Sequence, residues 1–109
     1  MMVWTVLEYR RRDGRIPFRE WFLELGDIQI RTRIRKRLDR LKLGNFGDSK
    51  NVGKGLFELR FHFGPGHRIY YGIYQGRIVI LLSGGDKSGQ EEDIRTANVY
   101  WQDYLERQP

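Results

Sequence analysis

The chain is short and basic, and it has no cysteine. It has 109 residues and a formal net charge of +6, and 39% of its residues are hydrophobic. This length suits one folded domain, so a single domain is predicted over residues 1–109. The absence of cysteine excludes a disulfide framework and thiolate metal sites. The positive charge favours an anionic partner such as nucleic acid.

No targeting or membrane segment is predicted. The first residues contain no apolar stretch followed by a small-residue cleavage site. No run reaches the roughly 18 apolar residues that a membrane span requires. A cytoplasmic protein without membrane contact is therefore expected. Only two histidines are present, so neither a metal nor another cofactor is expected.

One strand and two helices are predicted in the N-terminal half. Residues 3–9 are rich in β-branched and aromatic side chains and predict a strand. A short amphipathic helix begins at Pro17 and ends at Gly26, and Asp27 caps a second helix over about 28–43. The apolar seam of that second helix recurs at helical spacing: Ile30, Ile34, Leu38 and Leu41.

The second helix and the segment after it are strongly basic. Residues 31–54 contain nine basic residues against Asp39 and Asp48. Four of the cations lie off the apolar seam: Arg33, Lys36, Arg37 and Arg40. A solvated helix face explains this pattern, and contact with an RNA backbone or an acidic partner is the functional alternative. Residues 44–55 predict a Gly-rich loop that carries Lys50 and Lys54 to RNA or is only a connector.

Three consecutive strands, predicted at 56–63, 67–74 and 77–83, form the centre of the chain. The turns between them are short, so neighbouring strands are antiparallel. If Phe63 faces His67 and Tyr74 faces Arg77, one sheet face collects the apolar side chains. That predicted core face contains Phe57, Leu59, Phe61, Phe63, Ile69, Tyr71, Ile73, Ile78, Ile80 and Leu82.

The opposite face of the predicted sheet is polar and is expected to face solvent. It holds Glu58, Arg60, His62, Arg68 and Tyr70, and Lys87 leaves the sheet at the same end. In this register Arg60 lies opposite Tyr70, and His62 lies opposite Arg68. An ordinary solvated face would also be polar. The density of cations, with only Glu58 to offset them, makes this cluster the candidate functional site.

A final helix is predicted after the sheet. Ser88 and Glu91 match a capping box, in which each side chain bonds to a backbone N–H of the other residue. The helix spans about 89–105. Its predicted buried stripe is Ile94, Ala97, Trp101, Tyr104 and Leu105.

Three segments, in this order and spacing, resemble the RelE/HigB toxin family. They are GLFELR (55–60), GPGHRIYY (64–71) and LLSGGDKS (81–88). The similarity is greatest to the phage-related branch of the RelE/ParE superfamily, often called addiction module killer proteins. It implies a small α+β, RelE-like fold: a twisted, mainly antiparallel sheet with two N-terminal helices packed on it and a C-terminal helix.

The resemblance also implies a function and partners. The well-studied members of the family cleave mRNA in the ribosomal A site without a metal. They are held inactive by a cognate antitoxin, which for HigB-like toxins is often a helix-turn-helix, HigA-like protein. Toxin and antitoxin together repress their operon, so operator DNA is contacted only through that complex. Arg60 and Arg68 match the strand arginines of the family pattern, and Lys87 matches the lysine of its Gly-Gly-Asp-Lys segment.

RNA can be cut without a metal when its own 2′-hydroxyl attacks the adjacent phosphate. Arg60 and Arg68 are assigned to that phosphate, because arginine binds it bidentately and stays charged. Lys87 binds phosphate or protonates the leaving oxygen. Many family members use a tyrosine or histidine near the C-terminal end of the sheet, but this chain is predicted to be helical there.

The remaining roles are open on the sequence. Glu58 or His62 is the candidate general base, and Tyr70 is a candidate for stacking on a nucleobase or bonding to phosphate. Two other classes of function remain: a ParE-like inhibitor of DNA gyrase, and a non-enzymatic RNA-binding or degenerate toxin module. The antitoxin is expected on the basic side formed by residues 31–54, with the sheet face around Arg60 as the alternative.

Overall fold

A computed structural model describes residues 3–109, which form a five-stranded mixed sheet between helices. The strands lie in the order β1-β5-β4-β3-β2, with β1 parallel to β5 and the other pairs antiparallel. The predicted α+β class is confirmed. The elements are β1 (Thr5–Glu8), α1 (Pro17–Glu24), α2 (Ile28–Lys42), β2 (Ser49–Gly53), β3 (Leu56–Arg60), β4 (Arg68–Tyr74), β5 (Ile78–Gly85) and α3 (Gln90–Glu106).

The helices begin where the local sequence stabilises a helix start, with one exception. α1 starts at Pro17, and the Asp27 side chain caps α2 by accepting a 2.8 Å hydrogen bond from the backbone N–H of Gln29. The predicted Ser88 capping box is wrong. Asp86 accepts hydrogen bonds from the backbone and hydroxyl of Ser88, because a 3₁₀ turn at Lys87–Gly89 precedes α3. None of the helices in the described chain is long and apolar enough to cross a bilayer.

The sheet is covered on both faces, and each face has its own hydrophobic core. α1 and α2 pack on the face that buries Leu59, Phe61, Ile69, Tyr71, Val79 and Leu81. α3 packs, through Ala97 and Trp101, on the face that buries Leu56, Tyr70, Ile80 and Leu82. The predicted core face is therefore correct for β3 and β4. It is wrong for Ile78, Ile80 and Leu82, which lie under α3 instead.

A longer turn explains the error in β5. Tyr74 pairs with Ile78 rather than with Arg77, so three residues connect β4 to β5 instead of two. Gln75 and Gly76 both have positive φ, +54° and +68°. Successive side chains of a strand point to opposite faces, so the additional residue reverses the alternation of β5 relative to β4.

The β3–β4 pair is shifted by two residues from the predicted register. Arg60 pairs with Arg68 rather than with Tyr70. The turn is wider than predicted, because residues 61–67 all lie between the two strands. His62 falls in this turn and does not face Arg68. A shift of two residues leaves every strand side chain on its predicted face, so the faces of β3 and β4 are correct.

The segment predicted as an irregular loop contains a strand. Residues 49–53 form β2, which pairs with β3 at the edge of the sheet. Its sequence is mostly polar and lacks the alternation that signals a strand, so pairing with β3 sets its conformation. Lys50 is exposed and stands opposite Glu58. Lys54 lies in the β2–β3 turn with φ of +56°, at the opposite end of β3 from Arg60.

The close packing of α3 predicts a strong effect of substitution at Gly72. A Cβ atom at this position would lie 2.5 Å from the Trp101 ring. Gly72→Ala should lower the free energy of unfolding by about 1–3 kcal/mol, the usual cost of overpacking a core. Chemical denaturation measures this loss. The double variant Gly72→Ala with Trp101→Leu should lose less unfolding free energy than the sum of the two single losses. Strictly additive losses would show that residue 72 and Trp101 are not in contact.

Candidate functional site

Three strands bring most of the predicted site residues to one end of the sheet. β3 ends at Arg60, β4 begins at Arg68, and β5 leads through Gly85 to Lys87. Arg68 pairs with Arg60 on one side and with Gly85 on the other. The backbone N–H of Lys87 donates a 3.4 Å hydrogen bond to the carbonyl of Pro65, which joins the two turns at this end.

Two adjacent glycines place Lys87 by allowing helices to approach β5. A Cβ atom on Gly84 would lie 2.2 Å from Trp21 of α1. A Cβ atom on Gly85 would lie 2.0 Å from Asp93 of α3. A side chain at position 84 would displace the Trp21 ring and with it α1, and one at position 85 would displace the Asp93 carboxylate. The Gly-Gly-Asp-Lys segment therefore holds the end of β5 between α1 and α3.

A buried carboxylate connects the two strand arginines. Glu58 Oε1 lies 3.7 Å from Nε of Arg60 and 3.6 Å from Nη1 of Arg68. Glu58 Oε2 accepts a 2.7 Å hydrogen bond from the side chain of Gln90, the first residue of α3. Like charges directly opposite each other in a ladder repel. Glu58 offsets this repulsion, and Gln90 connects the cluster to α3.

The sheet face that holds this cluster is buried, which corrects the expectation that it faces solvent. The exposed fraction is 1% for Glu58, 6% for Arg68 and 0% for Tyr70. α3 covers this face because its apolar side chains, Trp101 among them, are buried against it. Burial therefore closes Tyr70 to a nucleobase, Arg68 to a phosphate and Glu58 to a ribose hydroxyl.

The buried cluster is polar and incompletely hydrogen-bonded. Among the described residues, the Tyr70 hydroxyl, Ser83 Oγ and Arg68 Nε lack a hydrogen-bond partner of good geometry. Burial, and after it the nearby charge of Glu58, raises the pKa of Tyr70 above its ordinary value, so the hydroxyl stays neutral. Removing one partner of a buried ion pair leaves an uncompensated charge. Breaking the Glu58–Arg68 pair would therefore destabilise the contact between α3 and the sheet, even where the intact pair adds little stability.

Three of the predicted residues reach solvent at this end of the sheet: Arg60, His62 and Lys87. The side chain of Arg60 is 34% exposed and that of His62 is 69% exposed. Nε2 of His62 is hydrogen-bonded to Oδ2 of Asp48. This bond holds the pKa of Asp48 below its ordinary value, so Asp48 is charged at neutral pH and orients the imidazole.

Asp48 and Gln90 were missed by the sequence analysis. Both lie outside the three central strands in sequence, and neither belongs to a motif. Asp48 carried one weak signal, as one of two carboxylates among the nine cations of 31–54. In the described chain, no group of three or more histidine, cysteine, aspartate or glutamate side chains is arranged to hold a metal.

α2 contributes a basic groove beside the same end of the sheet. We call it the α2 groove, and it is lined by Arg33, Lys36, Arg37, Arg40, Phe61 and Phe63. Arg37 donates hydrogen bonds to the carbonyls of Arg60 (2.8 Å) and Asp48 (3.1 Å), and burial lowers its pKa. Arg37 therefore fixes the end of β3. The other three cations are exposed.

Comparison with known proteins identifies the family of the chain. Residues 20–101 match the family described as Phage derived protein Gp49-like (DUF891), and the chain belongs to it. This family is related to the toxins of toxin–antitoxin modules. The chain is also 43% identical over 88 residues to an uncharacterized protein of Haemophilus influenzae strain Rd. The aligned residues cover 81% of this chain and 89% of that relative. No solved structure gives a significant match.

Proposed function

We propose that this protein is the toxin of a type II toxin–antitoxin module, and that it cleaves mRNA on the ribosome without a metal. One observation carries the proposal: His62, paired with Asp48, is exposed at the end of the sheet that also presents Arg60 and Lys87. Membership of a toxin-related family supports the toxin role. The cleavage role depends on the chemistry of these side chains.

His62 is the proposed general base. Asp48 occupies Nε2, which leaves Nδ1 to accept the proton of a ribose 2′-hydroxyl. The hydroxyl oxygen then bonds to the adjacent phosphorus, and the bond from phosphorus to the 5′ oxygen breaks. The products are a 2′,3′-cyclic phosphate and a free 5′-hydroxyl. Glu58, the alternative base, is only 1% exposed and too buried to reach a 2′-hydroxyl.

Arg60 and Lys87 are the proposed phosphate-binding residues. The Arg60 guanidinium can hold two phosphate oxygens and stabilise the charge that develops on them. Lys87 donates a proton to the leaving 5′ oxygen. Arg68 is buried, so it acts through Glu58 as a positioning residue for Arg60 rather than on the phosphate.

The partners proposed for the protein are those that its resemblance to RelE/HigB toxins implies. They are a cognate antitoxin of the helix-turn-helix, HigA-like type, and the ribosome with its mRNA. Operator DNA would be contacted only through the complex of toxin and antitoxin. The ribosomal substrate places the proposed activity in the cytoplasm.

Expression of the protein without an antitoxin should arrest growth and translation. Primer extension on mRNA from induced cells should reveal new 5′ ends inside translated codons, because cleavage takes place on translating ribosomes. Lys42→Ala, an exposed change in the last turn of α2, serves as the matched control and should produce the same ends. Intact messages together with a DNA-damage response would instead identify a gyrase inhibitor.

A further inference from the structure

We infer that the α2 groove binds single-stranded RNA beside the cleaved phosphate, and that the Arg33 guanidinium is a stacking surface for a nucleobase. The inference rests on the proposed function, because it places the RNA at the same end of the sheet. It is carried by the geometry of Arg33, by the charge of the groove, and by the continuity of the groove with Arg60 and His62.

The guanidinium of Arg33 lies over an aromatic ring. Its Cζ lies 4.9 Å from the centroid of the Phe63 ring. Phe63 is itself fixed by edge-to-face contacts with Phe61 at 5.8 Å and His67 at 5.9 Å. Phe63 therefore lies on one side of the guanidinium, while Arg33 as a residue remains exposed. A planar guanidinium stacks on aromatic rings, so the open face is suited to a nucleobase.

The charge of the α2 groove suits a polyanion. Lys36 and Arg40 follow Arg33 at intervals of three and four residues, so the three exposed cations form a row on one side of α2. Among the described residues, no carboxylate lines the groove. Such a row can contact successive phosphates of one RNA strand.

The groove lies beside the turn that carries the proposed general base, His62. Phe61 and Phe63, which form its floor, flank His62 in the chain. Arg37 joins the groove to the carbonyl of Arg60 through a 2.8 Å hydrogen bond. A strand whose phosphate lies at Arg60 would thus place a neighbouring nucleotide in the groove. Charge alone would serve an acidic peptide equally well, but a stacking plane favours a ligand that carries bases.

Binding of two matched oligonucleotides tests the inference. The first is a short single strand of 2′-O-methyl RNA, which the proposed chemistry cannot cleave, and the second has the same backbone without bases. Fluorescence anisotropy gives the affinities. Arg33→Lys keeps the charge and loses the plane, so it should weaken binding of the first oligonucleotide about five- to tenfold and leave the second unchanged.

Two further variants separate charge from stacking. Lys36→Ala should weaken the binding of both oligonucleotides equally. It removes about one phosphate contact, so the slope of log affinity against log salt concentration should change by roughly 0.7. Lys42 lines a different pocket, together with Leu38 and Asp39, so Lys42→Ala should change neither affinity. Thermal unfolding confirms that each variant is folded.

Equal binding of the first oligonucleotide by Arg33→Lys and the wild type would overturn the inference. An equal loss of affinity of Arg33→Lys for both oligonucleotides would also overturn the inference, since the nucleobases would then contribute nothing to binding at this residue. So would a hepta-glutamate peptide that binds more tightly than the RNA and displaces it, because the groove would then belong to an acidic protein partner. If the variants bind the two oligonucleotides as expected but the wild-type protein does not cleave mRNA, only the proposed function would be refuted.

Discussion

Arg68→Ala should strongly destabilise the protein instead of giving a folded, inactive variant. Arg68 is 6% exposed and lies 3.6 Å from the buried Glu58 carboxylate. Its removal leaves that carboxylate buried with the Gln90 amide and the partly exposed Arg60 as its partners. Breaking a buried ion pair in this way costs about 3–5 kcal/mol. Urea denaturation measures the loss. A domain of this size has a total stability of about 5–15 kcal/mol, so this loss is a substantial share of the whole.

Two control variants show whether the uncompensated charge causes the effect. Arg60→Ala should lower the free energy of unfolding less than Arg68→Ala does, because the Arg60 side chain is 34% exposed and water can replace it. Changing Glu58 and Arg68 together to methionine should recover much of the stability, since no buried charge then remains. Wild-type stability of Arg68→Ala would contradict the burial of this pair.

His62→Ala should abolish cleavage and leave the fold intact. The imidazole is 69% exposed and contacts Asp48, so its loss removes little packing. Loss of a general base lowers the rate by about 10²–10⁴-fold. Single-turnover cleavage of ribosome-bound mRNA gives the rate, and circular dichroism with thermal unfolding verifies the fold.

Asp48→Asn provides the graded comparison for His62. An amide can still hold the ring but cannot stabilise its positive charge, so the rate should fall between those of the wild type and His62→Ala. Lys42→Ala should cleave at the wild-type rate, because it removes a charge on a different side of α2. A folded His62→Ala variant with the wild-type rate would exclude His62 as the base.

Local sequence signals were sufficient to predict the helices and the central strands. Pro17 and Asp27 mark the two helix starts, because each supplies what the first helical turn needs. Alternation in 56–60 and 68–74 predicted the faces of β3 and β4. These signals act within a few residues, so they do not depend on which other elements pack against the segment.

The covering of the site was not predictable in the same way. The apolar stripe of α3 showed that the helix packs on something, but not on which face of the sheet. One additional residue in the turn before Ile78 decided this, because it moved Ile80 and Leu82 to the face that also carries Arg68. A polar strand face therefore became an interior one. The partners of the site residues, such as Gln90, come from other elements and leave no trace in the strand pattern.

The end groups of the cleaved RNA test the central claim most directly. In the proposed mechanism the 2′-hydroxyl of the RNA attacks, with His62 as base and no metal. Purified protein acting on ribosome-bound mRNA should then yield a 2′,3′-cyclic phosphate upstream of the cut and a 5′-hydroxyl downstream. Mass spectrometry of the fragments distinguishes these ends. A 5′-phosphate with a 3′-hydroxyl would show that water is the nucleophile and would contradict the account.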